Sequence, residues 1–168
     1  MRTRLTLPLL ALMMSLMLSA CGFKLRGLYE VPEALRQVAL VSASQQPSQL
    51  EPELRRALEI NGISILGSTR YQLEILSERH TRRTATLTGD ADADEYELRS
   101  EVRFRVIDRQ RDGLELIPER TLMTERVYTN QRDNITASSS QESLIRHQMQ
   151  QDLAQQIVRQ YLSIKTDA

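Results

Sequence analysis

Few residues in this chain have a type and spacing that could do chemistry. Cys21 is its only cysteine, so no internal disulfide can form. That leaves a buried thiol, a nucleophile or a site of covalent modification. The only histidines are His80 and His147. His147, Ser143 and Asp152 can share a helix face, but a nucleophile needs its base and oxyanion donors from separate elements. Asp90, Asp92 and Asp94 have the 1, 3, 5 spacing of a calcium loop, with Glu101 at the twelfth position. Glu95 stands at the sixth position, where the loop needs glycine for its turn. The stretch therefore reads as a solvated hairpin, with no metal. Arg79, Arg82 and Arg83 cluster at a strand end beside Thr84, Thr86 and Thr88. Guanidinium forks suit bidentate contact with phosphate, which makes Arg82 and Arg83 candidate anion ligands. The competing reading is a solubilising strand end paired with the nearby aspartates. No glycine-rich phosphate loop, paired Cys/His cluster or nucleophile elbow is present, and nothing marks the chain as an enzyme.

The residues before Cys21 favour modification. Arg2 and Arg4 precede an apolar run from Leu5 to Leu18. As a helix this run is roughly 21 Å long, short of the roughly 30 Å core of a bilayer. It reads as a secretory signal over residues 1–20. Leu18-Ser19-Ala20-Cys21 resembles the lipobox of bacterial lipoproteins. That resemblance implies cleavage before Cys21, S-diacylglycerol on its thiol and an N-acyl group, with no other cofactor. Two or more chains make such an anchor stable. Gly22, in place of aspartate, implies sorting to the outer membrane.

The chain carries 22 basic and 22 acidic residues, and loss of Arg2 and Arg4 leaves 20 against 22, a net −2. There is no basic bias and no tryptophan, so a nucleic-acid partner is not expected. The remaining chain is one ordinary domain, with a lead over 21–35 and a single body over 36–165.

The pattern predicts how that body positions its arginines. Val38–Val41 reads as a buried strand. Leu50, Leu54 and Leu58 recur at spacing four, predicting a helix ended by Asn61-Gly62. A Ser48–Glu51 capping box would start it, with Pro52 near the boundary. Tyr71, Leu73 and Ile75 alternate with polar residues, as do Tyr96, Leu98, Val102, Phe104 and Val106. Residues 114–129 read as a further strand with Leu114, Leu116, Leu122 and Tyr128 on one face, and Pro118 marks a bulge or an edge. A last helix is expected from Ser138–Ser140, capped by Ser139 and Glu142. Its stripe is Ile145, Met149, Leu153, Ile157 and Tyr161, widened by Leu144, Val158 and Leu162. The fold class is α/β: a two-layer sandwich with two helices on one face of a four-stranded mixed or antiparallel sheet. The sheet's charged face is left for water or a partner.

Cys21-Gly22-Phe23-Lys24-Leu25-Arg26-Gly27 resembles the start of the LptE lipopolysaccharide-assembly lipoproteins. Pro32, Leu35, Val38 and Leu40, then Asn61-Gly62, then Glu95-Tyr96 with Leu98, are similar to later features of that family. Asp94 stands where the family carries alanine. The resemblance implies the same two-helix, four-stranded sandwich. It implies an outer-membrane, periplasm-facing lipoprotein that plugs the LptD barrel, supports its assembly, and assists lipopolysaccharide insertion and direct binding. Arg82 and Arg83 would then meet lipid A phosphates. The rival reading is a lipid-binding auxiliary lipoprotein of an ABC-type envelope lipid transporter.

Overall fold

The computed structural model describes residues 31–43, 47–87, 93–130 and 135–165. Cys21, Asp90 and Asp92 lie outside them. The elements in chain order are β1 (Gln37–Ser42), α1 (Glu51–Ile60), β2 (Ser64–Ile65), β3 (Tyr71–Leu87), β4 (Ala93–Asp108), β5 (Leu114–Thr129) and α2 (Ile135–Leu162). The sheet order is β2-β1-β3-β4-β5. β1 runs parallel to both neighbours, while β3, β4 and β5 form an antiparallel meander.

The sheet thus has five strands, where the pattern predicts four. The extra one, β2, is two residues long and pairs Ser64 with Gln37 and Ile65 with Val38. A two-residue strand shows no alternation, so its sequence carries no periodic signal.

The expected leucines pack α1 against the sheet: Leu50, Leu54 and Leu58 are all buried. Pro52 sits in the first turn, where a missing N–H costs nothing. Half of the expected capping box forms: the Glu51 N–H donates to Ser48 Oγ at 2.8 Å. The Glu51 side chain instead accepts from Arg55 at 2.8 Å. The missing half is supplied from β3. Glu78 accepts the Ser48 hydroxyl, the Gln49 N–H at 3.1 Å and the Leu50 N–H at 3.2 Å. Gly62 closes the helix at φ 76°, where a Cβ is disfavoured.

Along β4 the alternation is clean. Leu98, Val102, Phe104 and Val106 are buried against the helices, with Ser100 and Asp108 on the same side. β5 breaks step at Pro118: Phe104 pairs with Arg120, yet Val106 pairs with Ile117. This bulge switches parity, so Ile117 enters the core while Leu114 is exposed, against the even-numbered face expected.

α2 starts at Ile135, before the predicted serines. Ser139 is therefore inside the helix. Its hydroxyl donates back to the Thr136 carbonyl at 3.0 Å rather than capping. Met149, Leu153, Ile157 and Tyr161 are buried as the stripe requires, joined by Ala154 and Val158, while Leu144 is exposed. The Tyr161 hydroxyl lies 3.2 Å from the Leu35 carbonyl and 3.3 Å from that of Gln37, pinning the helix end to the start of β1. Burial raises the pKa of this phenol. Leu35 is in the core and Val31 packs against it, so the expected 21–35 lead already enters the body at its end.

Candidate functional site

Both helices lie on one face of the sheet, so consecutive β3 residues face opposite environments. Arg82 turns to the helix side and Arg83 to the open side. The structure separates the two arginines that the sequence groups as one candidate site.

On the helix side, the far half of β3 and β4 meets the first turns of α2 at one carboxylate. Glu142 accepts from Arg82 at 2.9 Å and from the Tyr128 hydroxyl at 2.6 Å. Arg146, one turn on, donates twice, at 2.9 and 2.7 Å. The Arg82 guanidinium also lies 4.3 Å from the Tyr96 ring centroid, and Tyr96 and Tyr128 are 5.7 Å apart. Burial alone would raise the Glu142 pKa. Hydrogen bonds from Tyr128, Arg146 and Arg82 outweigh it and hold the carboxyl at about 2. Burial and the bond to Glu142 push Tyr128 up to about 12. Among the described residues the cluster sets two guanidiniums against one carboxylate, and the Arg82 side chain is 46% exposed.

The open face is a ladder of ion pairs. Arg83 grips Glu97 through two bonds, at 2.7 and 2.8 Å, and is itself 72% exposed. Each raises the other's charged form: the guanidinium pKa rises and the carboxyl pKa falls. Arg105 bridges Glu74 and Glu115, and Arg103 holds Glu119. Arg99 lies between Glu101 and Glu125. Mixed signs opposite one another are what cross-strand pairing favours.

A further constellation was invisible in the sequence. His80 Nδ1 is 3.0 Å from Ser100 Oγ, and its Nε2 is 3.7 Å from Glu78 Oε2. The order acid–histidine–serine invites a catalytic reading. Ser100 is 1% exposed, however, and Glu78 is engaged in capping α1. The arrangement is a buried polar clip. Burial opposes the Glu78 charge, but the neighbouring His80 and bonds from Ser48 and the Leu50 and Gln49 amides still lower its pKa. His147 meets Glu53 and Gln151, Ser143 donates within its own helix, and Asp152 pairs with Arg126. The structure does not bring those three together as a unit.

Comparison with known proteins agrees with this architecture. The profile of the family described as LptE, lipopolysaccharide-assembly, matches residues 35–161. The chain belongs to the LptE family. It is 27% identical over 153 residues to the LPS-assembly lipoprotein LptE of Pectobacterium atrosepticum, covering 89% of this chain and 80% of that one. It is 29% identical over 167 residues to the LPS-assembly lipoprotein LptE of Photorhabdus laumondii, covering 98% and 88%. The solution structure of lipoprotein B from Nitrosomonas europaea shares the fold, with a TM-score of 0.69 at 23% identity over 83% of this chain and 89% of that one.

Within this LptE-family body, Glu142, Tyr128 and Arg146 are the site residues that sequence reasoning missed. The Glu142–Arg146 spacing of four was a readable helix pair. Their convergence with Tyr128 and Arg82 depends on how β5 and α2 dock, which no local pattern encodes.

Proposed function

We propose that this protein is an outer-membrane lipoprotein, facing the periplasm, that plugs an LptD-like β-barrel and supports its assembly. It assists insertion of lipopolysaccharide into the outer leaflet as a structural partner rather than a catalyst. Family membership over residues 35–161 carries the reading. The two-faced body supports it. The helices take the apolar face, and the remaining face is a ladder of paired arginines and glutamates that suits the polar interior of a large outer-membrane barrel. The tether would be S-diacylglycerol and an N-acyl group on Cys21. Arg82 and Arg83, on opposite faces, would meet different phosphates of lipid A.

Detergent extraction of the tagged full-length protein tests the partnership. A large barrel should co-purify with it. An inner-membrane transporter complex in its place would transfer the protein to the lipid-exporter accessories. Mass spectrometry of the mature N-terminus should find acyl chains on Cys21, and Cys21→Ser should accumulate as precursor or lose firm anchoring. Arg82→Glu and Arg83→Glu should each lower lipopolysaccharide binding, with less salt dependence. Parent-like binding by both folded variants removes these arginines from the reading.

A further inference from the structure

Five arginines line the open face of β3 and β4, and four of them hold carboxylates: Arg83, Arg99, Arg103 and Arg105. The fifth, Arg79, has no ion pair or hydrogen bond among the described residues. It borders a cavity of about 350 Å³ that Thr81, Arg83, Glu97, Arg99 and Glu101 complete. Register sets Thr81 opposite Arg99 and Arg79 opposite Glu101. The Arg79 and Arg99 side chains are therefore diagonal neighbours on adjacent strands, and Thr81 and Glu101 occupy the other two corners of the same square. Arg99 is also under-satisfied. Its Nε is buried and lies 3.3 Å from Glu101 Oε2, but off the line of a hydrogen bond. A second hollow adjoins, lined by Ser77, Arg79, Glu101 and Arg103. Around the two hollows Arg79, Arg83, Arg99 and Arg103 face Glu97 and Glu101, while Glu119 and Glu125 pair with Arg103 and Arg99 from β5.

We propose that the hollow at Arg79, Thr81 and Arg99 is a binding site for a phosphate monoester. Glu97 is already held by Arg83, and Glu101, opposite Arg79 in the register, lies against Arg99, so neither pairs with Arg79. A planar carboxylate would be matched by one guanidinium fork. Guanidinium donors from two strands and a threonine hydroxyl line this hollow together, a mixed donor set that suits the several terminal oxygens of a phosphate. The lining carries no apolar side chain, so the site takes a phosphorylated headgroup or free phosphate and not an acyl chain. It lies on the opposite face from Arg82. Only the identity of the phosphate's carrier rests on the proposed handling of lipopolysaccharide.

The test records arginine Nε–H NMR signals of the full-length protein in detergent during titration with inorganic phosphate. The Arg79 and Arg99 signals should shift saturably. Arg79→Gln should weaken the affinity read at Arg99 at least fivefold, and Thr81→Val should weaken it less. Arg56→Gln, on α1 and away from the cavity, should leave it unchanged. Arg79 is solvent-facing, so the variant should keep the parent's circular dichroism. No saturable shift, equal affinity in Arg79→Gln, or an equal loss in Arg56→Gln overturns the proposal. Purified lipopolysaccharide that displaces phosphate from the parent assigns the site to the lipid headgroup. Phosphate binding that it does not displace supports a site for the free anion. Either result is independent of whether a barrel co-purifies.

Discussion

Replacing Glu142 with glutamine keeps the side chain's shape and removes the charge on which three donors converge. A hydrogen bond to a charged group contributes about 1.5–3 kcal/mol, against about 1 kcal/mol for a neutral one. The three contributions do not simply add here. Arg82 is 46% exposed and Arg146 29%, so water screens much of both pairs. The Tyr128 bond, at 2.6 Å to a carboxylate only 17% exposed, is the best shielded. The lowered pKa of Glu142, from 4.5 to about 2, sets a ceiling near 3 kcal/mol. With screening and the acceptor that glutamine retains, the expected loss at pH 7 is about 2 kcal/mol. Because the folded pKa is depressed, this stabilisation is present above pH 4.5 and is lost as pH falls toward 2. Glutamine does not titrate. The gap between parent and variant should therefore shrink to less than half between pH 7 and pH 2.5. Urea unfolding followed by circular dichroism at pH 7, 4 and 2.5 measures it, with equal slopes confirming comparable unfolding. A gap as wide at pH 2.5 as at pH 7, or none at pH 7, refutes the account of Glu142 as an ionised hub.

Leu153 is 1% exposed in the middle of the α2 stripe, and Leu153→Ala should cost about 2–5 kcal/mol in the same assay. Glu78→Gln removes the charge that caps α1. It should cost about 1–3 kcal/mol and speed hydrogen exchange of the Gln49 and Leu50 amides ahead of the α2 amides. Gly62→Ala meets no atom within 4 Å, so only its positive φ resists. The expected cost is about 1 kcal/mol, read as a lower thermal midpoint without loss of helix content.

Elements with strong periodicity were legible in the residues. The leucine spacing of α1, the alternation of β4 and the stripe of α2 each bury a continuous face, so the pattern is the fold. β3 was only half legible. Beyond Leu76 it reads Ser-Glu-Arg-His-Thr-Arg-Arg-Thr, with no apolar alternation, yet it continues to Leu87 because β4 pairs along its length. The start of α2 was misplaced because serine favours both caps and short back-bonded turns, and only the docked helix decides between them. For the site, composition showed forked cations but not their sides. Arg82 and Arg83 are adjacent in the chain and face opposite ways in the sheet. Arg79 stood out only once its neighbours were seen to be paired.

The bond from Tyr161 to Leu35 and Gln37 brings the first and last parts of the body together at one end of the sheet. The turn at Asp112 and Gly113 joins β4 to β5 and is exposed. A circular permutant follows directly. A short flexible linker could join the end of α2 to the stretch before β1, with new termini opened at that turn. The sheet order and every contact around Glu142 and Arg79 would stay as they are. The permutant remains a linear chain, and an opening at an exposed turn breaks no buried packing, so it should be tolerated. The attachment point of any tether could then be moved from the first strand to the edge hairpin without redesigning the body, separating what the fold does from where the chain happens to begin.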